Sequence, residues 1–374
     1  MVIVLGIEST AHTFGIGIVK NGKILANVKD AYTTESGGII PIDSAKHHSL
    51  VADELVKKAL NEAKVSWKEI KGIAFSQGPG LSPCLLVGLR KAKELSKKHK
   101  LPLIPVNHCV AHLEIGRITG AKDPVLLYAS GANTQIIAYS SGKYRIFGET
   151  LDLGIGNFID TFARYLGLGF PGGPKVEQLA KNSKNYIELP YTVKGMDITL
   201  SGILTNLRQK IEKINLDNKP LYHLPDHPPL LDNVNNKSYD NINFKNDVTL
   251  NNLENKNKIN YTKEDLAFSM QETVFAMLVE VSERALAHVG KKELVLGGGV
   301  ACNSRFQEMC RVMCEERGCK FYVPEKNLLV DNAGMIAYLG EIMFKAGIKF
   351  EGMKAEDLDI KPRERTDEIN VTWR

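Results

Sequence analysis

The chain has 374 residues, 43% hydrophobic, 24% charged and 7% aromatic, a length that calls for two lobes rather than one core. Lys+Arg 48 against Asp+Glu 43 leaves a formal net charge of +5, too weak by itself to indicate a nucleic-acid partner and compatible with a local basic face. No signal peptide, membrane span, CxxC pair or disulfide framework is legible, so a cytoplasmic protein with free thiols and no membrane partner is expected.

In chain order, VIVLGIES (2–9) reads as a strand and TAHTFG (10–15) as a small-residue turn. Strand IGIVK (16–20), the hairpin signal Asn21-Gly22 and strand KILANV (23–28) follow. The amphipathic stretch HHSLVADELVKKALNEA (47–63) reads as a helix starting at His47-His48, adjacent positions that diverge by about 100° and cannot share one face. Strand IKGIAFSQ (70–77) runs into the rigid turn GPGLSP. Near residue 125 the opening pattern recurs as PVLLYAS, GANT, QIIAYS, Ser141-Gly142 and YRIFGETL. Two copies of one supersecondary unit suggest a duplicated α/β protein of two lobes, with chance likeness of hairpins as the alternative.

Residues 157–180 read as two helices broken at Pro171-Gly172-Gly173, and YTVKGMDITLSGILTNLRQ (191–209) as a strand running into a helix. From Ile214 to Thr262, thirteen of forty-nine residues are Asn, which reads as a solvated insertion. Thr262 with Asp265 then resembles a capping box that starts a long helix ending at Gly290. Strand ELVLGGGV passes through glycines into the helix ACNSRFQEMCRVMCEE, a turn suited to an anion.

The stretch NHCVAHLEIG (107–116) places His108 and His112 on one helical face. Two imidazoles at that spacing are by themselves more often surface or core residues than a metal site, and they gain meaning only from further donors. Candidates near strand ends are Asp331 and Tyr128, and two imidazoles with one carboxylate make a Zn²⁺ or Fe²⁺ set with an open position. Cys109 stands where a zinc peptidase helix HExxH needs its Glu, which excludes that chemistry. The loops SGANT (130–134) and GGGVACN (297–303) suit a nucleotide, and Asp160 and Glu177 flank the Pro171 break.

These motifs closely resemble the TsaD family of tRNA threonylcarbamoyladenosine transferases, in the branch whose members are the catalytic subunits of the KEOPS complex. The likeness runs in order through GIESTAHTFGIGIV, FSQGPGLSPCLLVG, NHCVAHLEIG, LYASGANTQ, PGGPKVEQLA, YTVKGMDITLSGILT, LGGGVACN, DNAGMIAYLG and the ending RERTDEINVTWR. It implies the duplicated two-lobe actin/Hsp70/sugar-kinase (ASKHA) fold around a nucleotide cleft, with lobes over 1–118 and 119–374. It implies one Fe²⁺ or Zn²⁺ on His108, His112 and Asp331 with Tyr128 nearby or coordinating. It further implies an adenine nucleotide, ATP or threonylcarbamoyl-AMP, on Tyr128, Ala129, Ser130, Gly131, Ala132, Asp160, Gly173, Glu177 and Asn303. Glu8, Ser9 and Thr10 face the reacting group in this reading.

The implied reaction transfers a threonylcarbamoyl group to N6 of adenosine 37 in tRNAs reading ANN codons, releasing AMP. The implied partners are tRNA and the KEOPS subunits, among them the small atypical kinase. Two departures stand out. The usual SGGNT is SGANT, so a positive φ at Ala132 would strain the loop by about 1 kcal/mol. The usual DNGAM is DNAGM, exchanging Ala333 and Gly334 beside Asp331. These departures motivate an alternative, a nucleotide-binding scaffold subunit of the same complex with reduced turnover. A metabolite phosphotransferase of the same fold, with no use for the histidines, is a third reading.

Overall fold

The computed structural model describes residues 1–34, 39–217 and 260–374. The expected Asn-rich insertion at about 214–262 lies mostly outside them.

Both hairpin units form as the turn chemistry dictates. In the first, β1 (Ile3–Glu8), β2 (Thr13–Lys20) and β3 (Lys23–Ala31) pair antiparallel. Asn21 and Gly22 adopt φ of 49° and 79°, the left-handed pair that a two-residue hairpin of matching twist requires. Helix α1 (Pro41–Ala63) follows, then β4 (Gly72–Gly78), α2 (Ser82–His99) and β5 (Leu103–Asn107). The helix α1 starts at Pro41 rather than at His47, because Pro fits the first turn, where its missing N–H is not needed.

Helix α3 (His108–Ile115) leads to the second unit of β6 (Val125–Ala129), β7 (Thr134–Ser140) and β8 (Lys143–Glu149), whose turn residues Ser141 and Gly142 take φ of 52° and 80°. Next come α4 (Ile155–Tyr165) and α5 (Gly172–Ala180), separated at Pro171 as expected. The reading of 191–209 as one strand entering a helix is corrected. Gly195, at φ 66°, folds the stretch into a small hairpin of β9 (Val193–Lys194) and β10 (Asp197–Ile198) before α6 (Ser201–Asp217). Thr262 and Asp265 form the expected capping box of α7 (Lys263–Val289), which ends at the left-handed Gly290. The chain closes with β11 (Glu293–Gly297), α8 (Ser304–Glu316), β12 (Lys320–Tyr322), α9 (Lys326–Leu329), α10 (Ala333–Lys345) and α11 (Met353–Glu356).

The two sheets repeat one plan. Their orders are β3-β2-β1-β4-β5 and β8-β7-β6-β11-β12. In each, an antiparallel meander is extended by two parallel strands, β1–β4–β5 in one and β6–β11–β12 in the other. An apolar core lies between the sheets and contains α3 and α10, with Val4, Ala74 and Ile104 from one sheet and Leu126, Ile137 and Val295 from the other. Two outer cores cover the far faces: α1 and α2 pack on the first sheet, and α4 to α8 on the second. Although α10 lies beyond residue 119, it packs on β1, β2 and β4 of the first sheet.

That contact is unusually close. A Cβ on Gly17 would lie 2.4 Å from the Ala333 carbonyl group, and one on Gly6 would lie 2.4 Å from the Ala337 nitrogen. Ala333 is therefore accommodated by bare backbone opposite it, and the Gly334 N–H donates to Asn27 Oδ1 at 3.0 Å. Overpacking here should destabilise by about 3 kcal/mol. Gly17→Ala is therefore expected to lower the unfolding midpoint, readable by thermal denaturation of the purified variant.

Candidate active site

A cleft of about 1250 Å³ opens between the sheets. The first unit contributes Thr10, Ala11, His12 and the turn Pro79–Leu81, and the second contributes Ser130–Asn133, Asp160 and Arg164. His108, Tyr128 and Asp331 also line it, and residues 362–366 form part of its rim.

His108 and Asp331 of this lining converge with His112, which is buried behind it. Asn107 ends β5 and accepts the Val110 N–H at its Oδ1 (3.0 Å), so α3 starts at His108 and both histidines project from the same face. Asn332 caps α10 in the same way, through Met335 N–H (3.0 Å), and so fixes Asp331 just before that helix. Asp331 Oδ1 lies 3.3 Å from His108 Nε2 and 3.4 Å from His112 Nε2, and the three ligand atoms all fall within 4.8 Å of one another. Four donors set tetrahedrally at about 2.1 Å from an ion are about 3.4 Å apart, so these side chains fit a divalent metal.

The electrostatics agree. Burial opposes a charge on His108, but the Glu8 and Asp331 carboxylates outweigh it and hold its pKa well above 6.5. Burial likewise opposes the Asp331 charge, and the two imidazoles still hold that carboxyl well below 3.8. Burial keeps His112 below its ordinary value. One buried and one partly buried carboxylate around one imidazole make a site that favours a cation. Tyr128 is buried beside His112, ring centroids 5.0 Å apart, and burial raises its phenol well above the usual range.

The three residues of the first turn separate by role. Glu8 is fully buried; its Oε1 accepts the Thr10 N–H at 2.7 Å and its Oε2 faces His108 Nδ1 at 3.0 Å. Such a carboxylate fixes the tautomer and orientation of a metal-ligating imidazole. Ser9 points away from the cleft against Gly88, where an added Cβ would meet its hydroxyl at 2.0 Å. Thr10 alone of the three lines the cleft.

In the second unit the SGAN loop is bound to the start of α4: Gly156 N–H donates to the Ser130 carbonyl and Asn157 N–H to that of Gly131, both at 2.9 Å. Gly154 lets the strands of backbone meet, since a Cβ there would lie 2.4 Å from the Gly131 oxygen. Ala132 is absent from the positive-φ residues. The strain anticipated there does not arise, and the case for reduced turnover loses its motive. Asp160 on α4 accepts the Gly172 N–H at 2.8 Å, and burial raises its carboxyl above the ordinary value. Ala129 is buried within β6. Gly173 lies in the first turn of α5, and Glu177 on the same helix accepts the Ser304 N–H at 3.1 Å. Asn303 caps α8 and donates to Gln271 Oε1 at 2.6 Å. Gly173, Glu177 and Asn303 thus cluster on the second unit and are not among the residues lining the cleft around Asp331.

Sequence reasoning missed His12, which lines the cleft and meets Phe170 edge-on across it at 6.0 Å. Its place in the same small-residue turn as Thr10 was the available signal. It also missed residues 362–366 as part of the cleft, although they overlap the ending RERTDEINVTWR that carries the family likeness.

His48, buried on α1, donates Nε2–H to the Ala11 carbonyl (3.1 Å) and so steadies this turn. Burial lowers its pKa from 6.5 to about 4. The unfolded chain protonates this imidazole first, so its contribution is complete above pH 6.5 and is lost as pH falls from 6.5 to 4, up to about 3 kcal/mol. Denaturant titrations at several pH values should show this loss in the wild type and a shallower one in His48→Gln.

The model of the TsaD family, tRNA N6-adenosine threonylcarbamoyltransferase, matches residues 23–338. The chain belongs to this family. It is 50% identical to a tRNA N6-adenosine threonylcarbamoyltransferase of Thermococcus sibiricus, covering 99% of this chain and 100% of the relative. A Drosophila melanogaster protein described as a probable enzyme of the same name is 44% identical over 100% of this chain and 99% of its own. A probable bifunctional tRNA threonylcarbamoyladenosine biosynthesis protein of Methanosarcina mazei is 46% identical, covering 99% of this chain and 59% of the relative. HypF of T. kodakarensis shares the fold at TM-score 0.58 and 14% identity, over 92% of this chain and 48% of that one. Full-length HypF in a phosphate- and nucleotide-bound form aligns at TM-score 0.54 and 12% identity, over 91% and 56%. With the repeated sheets, these likenesses identify the two-lobe ASKHA fold, here carrying a tRNA-modifying transferase.

Proposed function

We propose that this TsaD-family chain transfers the threonylcarbamoyl group of threonylcarbamoyl-AMP to N6 of adenosine 37 in tRNAs reading ANN codons, releasing AMP. The observation that carries this reading is the convergence of His108, His112 and Asp331 at a cleft that is walled by the SGAN loop on one side and the Thr10 turn on the other.

In the reaction the adenosine N6 forms a bond to the carbamoyl carbon, the bond from that carbon to the phosphate oxygen breaks, and N6 loses a proton. An exocyclic amine is a poor nucleophile, so the chain must act by positioning the mixed anhydride and stabilising its charge. An Fe²⁺ or Zn²⁺ held by His108, His112 and Asp331, with Tyr128 beside them, would supply Lewis acidity toward a carbonyl or phosphate oxygen. Glu8 keeps His108 in the tautomer whose Nε2 is free to ligate. The backbone of Ser130, Gly131 and Ala132 offers close approach to the nucleotide, and the Asp160 carboxylate suits its ribose hydroxyls. Gly173, Glu177 and Asn303, which lie outside the cleft lining, would meet the nucleotide only where it extends beyond that cleft. Thr10 and His12 face the cleft from the opposite lobe, where the incoming adenosine must approach.

The modest net charge of +5 supports sharing of the tRNA among several subunits, those of a KEOPS complex in the cytoplasm including its small atypical kinase. Incubating the chain with such partners, threonylcarbamoyl-AMP and unmodified tRNA tests the reading. AMP release that requires tRNA is the expected result; nucleotide binding with no tRNA-dependent release would overturn it in favour of a scaffold role.

A further inference from the structure

Residues 364–374 take both ends of α3, the helix that carries His108 and His112. At its start, Asn107 caps the helix with one side-chain atom and uses the other, Nδ2, to donate to Glu364 Oε2 at 3.0 Å. At its last turn sits Glu114, a carboxylate with no exposed surface. Trp373 Nε1 donates to its Oε1 at 3.4 Å, Arg374 Nε lies 3.5 Å from the same oxygen, and Arg117 and Tyr144 satisfy the rest. The Arg374 guanidinium lies over the Tyr139 and Tyr144 rings, 4.6 and 5.5 Å from their centroids. Between these two grips Thr366 is buried, Asn370 bridges Lys143 and the Val371 N–H donates to the Gly142 carbonyl at 3.4 Å. The segment therefore runs from the first unit across the cleft rim to the second.

The helix itself is eight residues long, too short to hold its direction without tertiary support. A chelating pair must nonetheless be placed to within about 0.5 Å. Glu114 also needs its cationic and N–H partners, because a buried carboxylate left unpaired is strongly unfavourable. We infer that residues 364–374 act as a clasp that positions α3 for metal binding, with Glu364, Trp373 and Arg374 as its positioning residues.

The inference rests on the metal reading of His108, His112 and Asp331. It is tested by titrating Zn²⁺ against a chromophoric chelator into the wild type, Glu364→Ala, Glu364→Gln and the double variant Trp373→Ala/Arg374→Ala, with thermal unfolding recorded alongside. The wild type should bind one ion. Glu364→Ala and the double variant should bind about 10–100-fold more weakly, the range for changes that disturb the support of a ligand. Glu364→Gln keeps an acceptor for Asn107 and should recover most of the affinity, a rescue that general destabilisation does not produce. If the double variant fails to fold, the Glu364 pair decides alone. Wild-type affinity in folded variants, with only the unfolding temperature lowered, overturns the clasp while leaving the metal reading intact; a wild type that binds no zinc overturns both.

Discussion

If the proposed reading holds, Asp331→Asn is expected to abolish stoichiometric metal binding and to lower threonylcarbamoyl transfer by about 10³-fold, corresponding to about 4 kcal/mol of lost transition-state stabilisation. The substitution changes almost no volume, so the loss is one of charge and donor chemistry rather than packing. Asp331 Oδ1 is the atom shared by both imidazoles, 3.3 Å from one and 3.4 Å from the other. An amide in its place offers either a neutral oxygen or an N–H pair that faces the two imidazole nitrogens. The flanking backbone is held independently, by the Asn332 cap and by the seating of α10 on Gly6 and Gly17. Nucleotide binding by the SGAN loop is therefore expected to persist, and isothermal titration with an adenine nucleotide separates the two losses.

Glu8→Gln is expected to weaken metal affinity and turnover by about 10–100-fold while leaving the fold in place. The reason is a tautomer. Glu8 Oε1 accepts the Thr10 N–H at 2.7 Å, and Oε2 lies 3.0 Å from His108 Nδ1. A glutamine must keep its oxygen toward the Thr10 N–H, which turns its NH₂ toward His108. Nδ1 then becomes the acceptor, the ring proton moves to Nε2, and the atom that faces Asp331 no longer has a free lone pair. Glu8→Asp, which retains the charge at shorter reach, should fall between the two. Zinc titration of the three proteins at neutral pH gives the order.

These residues differ in how far the sequence discloses them. The two hairpins were legible because Asn21-Gly22 and Ser141-Gly142 state their turn type locally, and the β2–β3 and β7–β8 pairings they close are between neighbours in the chain. The capping box at Thr262 was legible for the same reason. The spacing of His108 and His112 fixed a shared face, but not what that face meets. Asp331 arrives from 219 positions further on, brought in by the parallel crossovers and by the packing of α10 on the first sheet. No local pattern encodes that approach: Asp331 was one candidate donor near a strand end, and the likeness to a family assigned it to the pair. Glu8 was noticed as a member of a turn facing the reacting group; that it lies behind His108 instead depends on the pairing of β1 with β4 and the position of α3 between the sheets. The hairpin of β9 and β10 escaped notice because strands of two residues carry no period. Residues 364–374 were legible only as part of the family ending RERTDEINVTWR; their contacts with Asn107 and Glu114 span more than 250 positions and were not.

The cleft at which His108, His112 and Asp331 converge is proposed to perform threonylcarbamoyl transfer to tRNA. The most direct measurement is nucleoside analysis of position 37 by mass spectrometry, after unmodified tRNA has been incubated with threonylcarbamoyl-AMP, partner subunits and either the wild-type chain or Asp331→Asn. N6-threonylcarbamoyladenosine at position 37 with the wild type, and almost none with the variant, is the predicted result. Equal yields from the two proteins, or no modified adenosine from a wild type that binds both metal and nucleotide, would contradict it.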